Sequence, residues 1–381
     1  MLKRITILAV VVFLLRCIAS PLDAAPRPAS PETKKTTKKA TTRKRVVRRR
    51  VYRRHRWSPW HVSSYANSAE DDDPAGEDPE VRAAATDALG RWNGSVVVAD
   101  PTTGRILSIV NQKLALESAF TPCSTFKPVV AVGALKEGLI TPKTRLWVAR
   151  RRRMDLSEAL AHSNNRFFAK LGQMLGFEKV EHYAHEFGLG EKAGWNIPDE
   201  SPGEFPSQPP SAKEGGVGLL TSFGQGIEVT PLQMAAILSA IANGGTMYYL
   251  QYPRTPQESE AFKPIVRRHL QNLSEYFPYV KKGMAEAVIY GTARLAYDPQ
   301  EQIFGKTGTC SEDGARLGWF VSYANARQPR YVVVVLLRGG RQMYGPHAAE
   351  IAGKIYRDLR QRDLEAARAE EAYSARAASA Q

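Results

Sequence analysis

The chain has 381 residues, 43% of them apolar, enough to bury a substantial core in one large domain or two small ones. Its formal net charge is +15, yet the thirteen Lys and Arg between Lys34 and Arg56 leave only +2 for the remainder. A folded domain that is basic throughout is therefore excluded, and three cysteines are too few for a disulfide-dense scaffold.

The N-terminus reads as an export signal. Lys3 and Arg4 precede an almost entirely apolar run from Ile5 to Leu15, too short to span a bilayer comfortably. Cleavage is expected after Ala19 or Ala25, with an uncleaved anchor as the alternative. Arg16 argues against a lipoprotein built on Cys17. Residues 26–80 are Pro/Thr-rich, then basic, then acidic, and lack an apolar period. They are expected to be a disordered linker, because they cannot bury enough surface to offset ordering entropy. Behind an export signal the basic run suits anionic lipid or an acidic wall polymer better than nucleic acid.

Order is expected from about Val81 to residue 362, with a disordered tail over 363–381. "EVRAAATDALGRW" has helical spacing, and "GSVVVADPTTGRILSIVN" reads as two strands joined at Pro101–Gly104. A helix is expected from Ser124 onward, distorted near Pro128. "DLSEALAHSNNRFFAKLGQMLG" gives two helical pieces around a polar break, and "FEKVEHYAHEFGLG" gives another helix. A Gly/Pro/Ser-rich loop covers 190–217. Thr230 caps the next helix, with Pro231 at its first position. A further helix covers roughly 273–290. Three closely spaced strands follow, "QIFGKTGTC", "RLGWFVSYA" and "RYVVVVLLRG", and a closing helix starts near Ala348. The last strand is too continuously apolar to face water on both sides. Strands at both ends with helices between them predict an α+β fold. One antiparallel sheet is flanked by helices on one or both faces, and the middle of the chain builds an all-helical lobe.

Three short motifs carry chemical potential. Ser124 and Lys127 stand three apart, so on a helix their side chains share a face. A serine becomes a nucleophile only when a base takes its proton, and a lysine of lowered pKa can do so. "HSNNRFF" places Ser163 and Asn165 where an extended break would aim both into one cleft. "FGKTGTC" alternates Lys306 and Gly308 with Thr307 and Thr309 along a strand, and Gly308 allows close backbone approach. Taken singly, each is equally an N-cap, a capping turn or an edge strand with a solvated lysine.

In this order and at these separations the three resemble the motif set of the penicillin-recognising serine acyltransferases, the penicillin-binding proteins and serine β-lactamases. Asn164 stands where the family pattern has Asp. "SFGQGIEVTPLQMAAILSAIANGG" and "YGTAR" are similar to stretches of transpeptidase domains in particular. The resemblance implies that Ser124 attacks a D-Ala-D-Ala carbonyl while Lys127 takes its proton. Ser163 would relay a proton, Asn165 would orient Lys127, and Lys306 would supply charge near the substrate carboxylate. Thr307, Gly308 and Thr309 would bind that end of the substrate, with the amides of Ser124 and Thr309 as oxyanion donors. It also implies peptidoglycan stem peptides as substrate and β-lactams as inhibitors, in an exported protein.

Cys123 and Cys310 flank the two implied oxyanion donors. Some class A carbapenem-hydrolysing enzymes carry a disulfide at the matching positions, so a Cys123–Cys310 bond is expected. The class A Glu-x-x-x-Asn loop is not found, and the class D Tyr-Gly-Asn motif is Ser-Asn-Asn here. Both departures favour a DD-transpeptidase over a β-lactamase, with a carboxypeptidase or a non-catalytic β-lactam sensor as alternatives. No metal cluster or nucleotide loop is apparent, and no cofactor is expected.

Overall fold

From Val332 to Leu337 every residue is a buried valine or leucine. Successive side chains on a strand point to opposite faces, so such a run needs cover on both. Val332, Val334 and Leu336 join one core, with Val97, Trp319 and Val321. Val333, Val335 and Leu337 join the other, with Val96, Val98 and Phe320. In the computed structural model, which describes residues 60–325 and 327–379, this strand is the middle of a five-stranded sheet.

The strands are β1 (Gly94–Ala99), β2 (Ile106–Val110), β3 (Leu146–Ala149), β4 (Arg152–Met154) and β5 (Thr246–Tyr248). They continue as β6 (Val266–His269), β7 (Ile303–Glu312), β8 (Ala315–Ala324) and β9 (Val332–Gly339). The main sheet runs β2-β1-β9-β8-β7 and is antiparallel throughout. β3 with β4, and β5 with β6, form two small hairpin-like ribbons.

The helices are α1 (Pro79–Leu89), α2 (Gln112–Leu116), α3 (Lys127–Lys136), α4 (Leu156–Ala161), α5 (Asn165–Leu175) and α6 (Phe177–Glu186). Then come α7 (Gly216–Phe223), α8 (Pro231–Asn243), α9 (Pro256–Ala261), α10 (Gln271–Ser274), α11 (Phe277–Ile289) and α12 (Gly345–Ser379). α1 and α12 cover one face of the sheet and α8 covers the other. α3 to α7 and α11 pack on one another as the helical lobe. The α+β architecture expected from the sequence is the one observed.

Two of the expected boundaries differ. Residues 60–80, expected to belong to a linker, lie on the domain as a strap. His61 donates its N–H to Gly314 O at 2.8 Å, and Tyr65 bridges to Trp92. The acids of the following stretch find specific partners. Asp72 accepts from the backbone amides of Asn111 (2.9 Å) and Gln112 (2.7 Å) and pairs with Arg82 at 2.7 Å. Glu77 accepts from Ser108 Oγ and from Ile109 N, and Asp78 caps α1. Carboxylates that accept backbone amides at the β2–α2 junction satisfy donors that would otherwise lack partners, so a polar stretch is ordered without an apolar core.

At the other end α12 continues to Ser379, through residues expected to be a disordered tail. Alanine, glutamate and arginine are strong helix formers. Ion pairs also fasten its middle: Arg360–Asp298 (2.7 Å), Arg362–Asp78 (3.1 Å) and Arg330–Asp363 (2.7 Å). The N-terminal apolar run and the basic segment fall outside the described residues. Among the described residues no helix is long and apolar enough to cross a membrane.

The strap gives a direct test. Asp72→Ala removes a 4% exposed carboxylate from two amides and a guanidinium. We expect it to lower stability in urea unfolding by about 2–4 kcal/mol. Asp71→Ala, at an exposed neighbour, changes it by less than about 0.5 kcal/mol.

Candidate active site

The serine of the first motif sits in a 3₁₀ turn, Cys123–Phe126, that leads directly into α3. This differs from the α-helix expected to start at Ser124. The turn tightens the chain just where Pro128 enters the first turn of α3, a position at which its missing N–H is harmless. Cys123 adopts a left-handed φ of 52°. Such a conformation is uncommon for a residue with a side chain and persists only where its surroundings hold it.

Those surroundings are the edge strand β7. A Cβ on Gly308 would stand 3.0 Å from Pro122 O, 3.1 Å from Thr125 Cγ2 and 3.2 Å from Cys123 Cβ. A side chain here would push the turn back by a few tenths of an ångström, so the bare backbone lets it lie closely on the strand. A disulfide joins Cys123 to Cys310 across the same contact, with Cα atoms 5.7 Å apart. The turn and the strand are 187 residues apart in sequence, so the bond closes a very large loop.

The second motif lies between α4 and α5. Ser163 has a left-handed φ of 52°, which turns the chain sharply after α4. Asn164 then caps α5 by accepting from Phe167 N at 3.0 Å. Asp and Asn are about equally good N-caps. The departure from the family's Ser-Asp-Asn therefore falls on a residue whose side chain serves the helix start. Asn165 opens α5 and turns its amide oxygen onto Lys127.

Four of the expected residues meet in one hydrogen-bonded group. Lys127 Nζ donates to Asn165 Oδ1 (2.6 Å), Ser163 O (2.8 Å) and Ser163 Oγ (3.1 Å). Lys306 Nζ, arriving from β7, donates to the same Ser163 Oγ at 2.8 Å and to Thr307 O at 2.8 Å. Lys127 also lies over the Phe168 ring, 5.3 Å from its centroid. Ser124 is one helical turn before Lys127, 8% exposed, and its hydroxyl donates a long 3.5 Å bond to Ser222 O.

Both lysines are fully buried. Burial, reinforced by the charge of Lys306, holds the Lys127 ammonium well below the ordinary lysine range. Burial alone pushes Lys306 down to about 7. A lysine in that state can be neutral at physiological pH and so can accept a proton from a serine.

The hydroxyls of Thr307 and Thr309 leave the strand on the side away from Gly308. Thr307 Oγ1 shares a 2.6 Å hydrogen bond with Thr292 Oγ1, and Thr309 Oγ1 accepts from Gly345 N at 2.8 Å. Thr292 lies in the "YGTAR" stretch and carries no signature of its own in the sequence. A Cβ on Gly291 would lie 2.2 Å from Ala161 O, and Thr292 N donates to that same carbonyl at 3.0 Å. This stretch thus ties the end of α4 to β7. Ser222, beneath Ser124, was likewise legible only as part of the "SFGQG" stretch.

A buried serine thus stands one turn before a buried lysine, and that lysine shares the hydroxyl of a second serine with a second lysine from an edge strand. Comparison with known proteins assigns the family. Residues 94–357 match the penicillin-binding protein transpeptidase domain, and the chain belongs to that family. It is 32% identical over 285 residues to stage V sporulation protein D of Bacillus subtilis, covering 66% of this chain and 44% of that one. It is 24% identical over 346 residues to the peptidoglycan D,D-transpeptidase MrdA of Acinetobacter baumannii, covering 71% and 51%. The chain thus spans about half the length of these curated relatives. Among solved structures, the transpeptidase domain of Burkholderia pseudomallei penicillin-binding protein 3 superposes with a TM-score of 0.65 at 21% identity. That alignment covers 77% of this chain and 96% of that one, a likeness of fold.

Two outcomes test this geometry. Cys310→Ser opens the link between turn and strand, and we expect a loss of about 2–4 kcal/mol in thermal unfolding under oxidising conditions. Added reductant brings the wild type down to the same level. Lys306→Met removes a buried ammonium and is expected to stabilise the fold by about 1–3 kcal/mol at neutral pH. The unfolded chain holds this proton up to 10.5, whereas the folded chain releases it near 7. Wild-type stability therefore gains with rising pH across that window, so the advantage of the variant shrinks between pH 7 and 10.5.

Proposed function

We propose that this chain is a serine DD-transpeptidase that acts on the D-Ala-D-Ala ends of peptidoglycan stem peptides through an acyl-enzyme on Ser124. The observation that carries the reading is the Lys127–Ser163–Lys306 relay one turn from a buried serine. In the mechanism, neutral Lys127 takes the Ser124 proton as the hydroxyl attacks the carbonyl. The proton passes through Ser163, and the amine of the terminal D-alanine leaves with it. An acceptor amine then attacks the acyl-enzyme, and the same relay runs in reverse. Lys306 supplies the positive charge for the substrate carboxylate, while the Thr307 and Thr309 hydroxyls on the other side of the strand are engaged by Thr292 and by Gly345 N. The amides of Ser124 and Thr309 stabilise the oxyanion, a contribution of roughly 3 kcal/mol per donor. β-Lactams enter by the same attack.

A transpeptidase rather than a lactamase is supported by what lines the relay. Among the described residues no carboxylate hydrogen-bonds Ser124, Lys127, Ser163 or Lys306. Among the described residues, no carboxylate is thus held against the relay as a base for water. The proposed setting is outside the cytoplasm, with the N-terminal apolar run as export signal or anchor. Anionic lipid or wall polymer is the proposed partner of the basic segment behind it.

The lifetime of a fluorescent penicillin adduct tests the reading. We expect an adduct stable for hours, absent in Ser124→Ala, with a rate of formation that rises with pH and levels off well below 10.5, since Lys127 must be neutral. Turnover within seconds would make the protein a lactamase, and labelling that persists in Ser124→Ala would move the nucleophile elsewhere.

A further inference from the structure

The β3–β4 hairpin carries an unusual charge load. From Lys143 to Met154 the chain holds six Lys or Arg and no acid. Arg145 is paired, with Asp155 and Glu158, each at 3.0 Å. Arg150, Arg151, Arg152 and Arg153 are all exposed, and none forms an ion pair among the described residues. Arg153 instead lies over the indole of Trp147, 4.4 Å from its centroid, and that indole is 49% exposed.

Two cations of α5 hold the hairpin by its backbone. Arg166 Nη1 donates to Val148 O at 3.2 Å, and Lys170 Nζ donates to Trp147 O at 2.7 Å. Bonds to neutral carbonyls leave both charges uncompensated. Six positive groups therefore share one surface, which costs folding energy through mutual repulsion. Self-repulsion of this kind is relieved when an anionic partner binds.

The position of this surface indicates the partner. α5 begins at Asn165, which holds Lys127, and Arg166 is the next residue. At 1.5 Å rise per residue, Lys170 lies only about 7.5 Å further along the axis. An extended peptide of four or five residues reaches about 15 Å. Carboxylates on a peptide whose end is at Ser124, or on its neighbour in the polymer, come within range of the hairpin.

We propose that the β3–β4 hairpin, with Arg166 and Lys170, is a docking surface for the carboxylate-bearing stem peptides of the wall polymer, outside the reacting bond. The arginines attract and orient the acidic peptides, and Trp147 keeps Arg153 extended over an apolar platform. The assignment rests on the reading of the site as one that acts on stem peptides.

Charge reversal in the full chain tests it, with Arg150→Glu, Arg151→Glu and Arg152→Glu combined. Co-sedimentation with purified peptidoglycan sacculi, and separately with phosphatidylglycerol vesicles, is compared between chains that differ only at the hairpin, so the basic N-terminal segment contributes equally. We expect affinity for sacculi to fall by about tenfold, a larger loss than on vesicles, and its salt dependence to weaken. The melting temperature does not fall, since the variant relieves repulsion among the remaining cations, and the rate of acylation by penicillin stays unchanged. A loss under threefold on sacculi, or an equal or larger loss on vesicles, overturns the proposal. Binding is scored without chemistry: a chain that takes no penicillin, yet loses sacculi on charge reversal, removes the proposed function and leaves the docking surface standing.

Discussion

Ser163 Oγ accepts hydrogen bonds from two ammonium groups that the fold has taken out of water. Two buried cations on one hydroxyl repel each other and each lacks solvation, so the pair favours holding fewer protons than it would in water. That constraint makes chemistry possible. With both lone pairs of Ser163 engaged, its own proton is free to be donated elsewhere. A proton can then move through one oxygen between two nitrogens that burial has made less basic, and the neutral nitrogen is available to a neighbouring serine.

Holding such a pair requires restraint from every side, and each restraint is visible. Ser163 is turned by a left-handed φ and followed at once by a capped helix, so its oxygen cannot swing away. Lys127 is fixed by three acceptors and an aromatic face. Lys306 is carried on a strand paired residue by residue to β8, with Lys306 opposite Val321 and Thr307 opposite Phe320. The disulfide and the bare backbone of Gly308 press the nucleophile turn onto that strand. The two left-handed residues, Cys123 and Ser163, flank the reactive group on two separate segments, where stored strain is tolerated because the packing around it is dense.

Much of this was legible in the sequence because it is written in local patterns. The valine run from 332 to 335 excluded an edge strand facing water on both sides. Thr230 and Pro231 announced the start of α8. The three motifs, read together, located Lys127, Ser163, Asn165 and Lys306 before any of them could be seen to touch. What escaped depended on partners distant in the chain. Asp72 looks like one acid in a solvated run until Asn111 and Gln112 present their amides to it. The start of the tail looks uncommitted until Arg330 reaches Asp363. Thr292 and Ser222 have no signature of their own, since their roles come from the strand and the turn they face.

The same asymmetry governs the charge. Outside the Lys34–Arg56 segment the chain is nearly balanced, with a net count of +2. A count treats every charge as equal, whereas the fold does not. Many of the acids are consumed: Asp72 and Glu77 hold amides, Asp78 caps a helix, and Asp298 pairs with Arg360. Their fields are cancelled locally by the groups they bind. The arginines of the β3–β4 hairpin are not cancelled in this way, because Arg150, Arg151 and Arg152 face solvent and Arg153 rests on an indole. The field outside the domain is therefore more positive near the entrance of α5 than the net charge suggests. A nearly neutral composition is compatible with a directed attraction when one sign is used for architecture and the other is left at the surface.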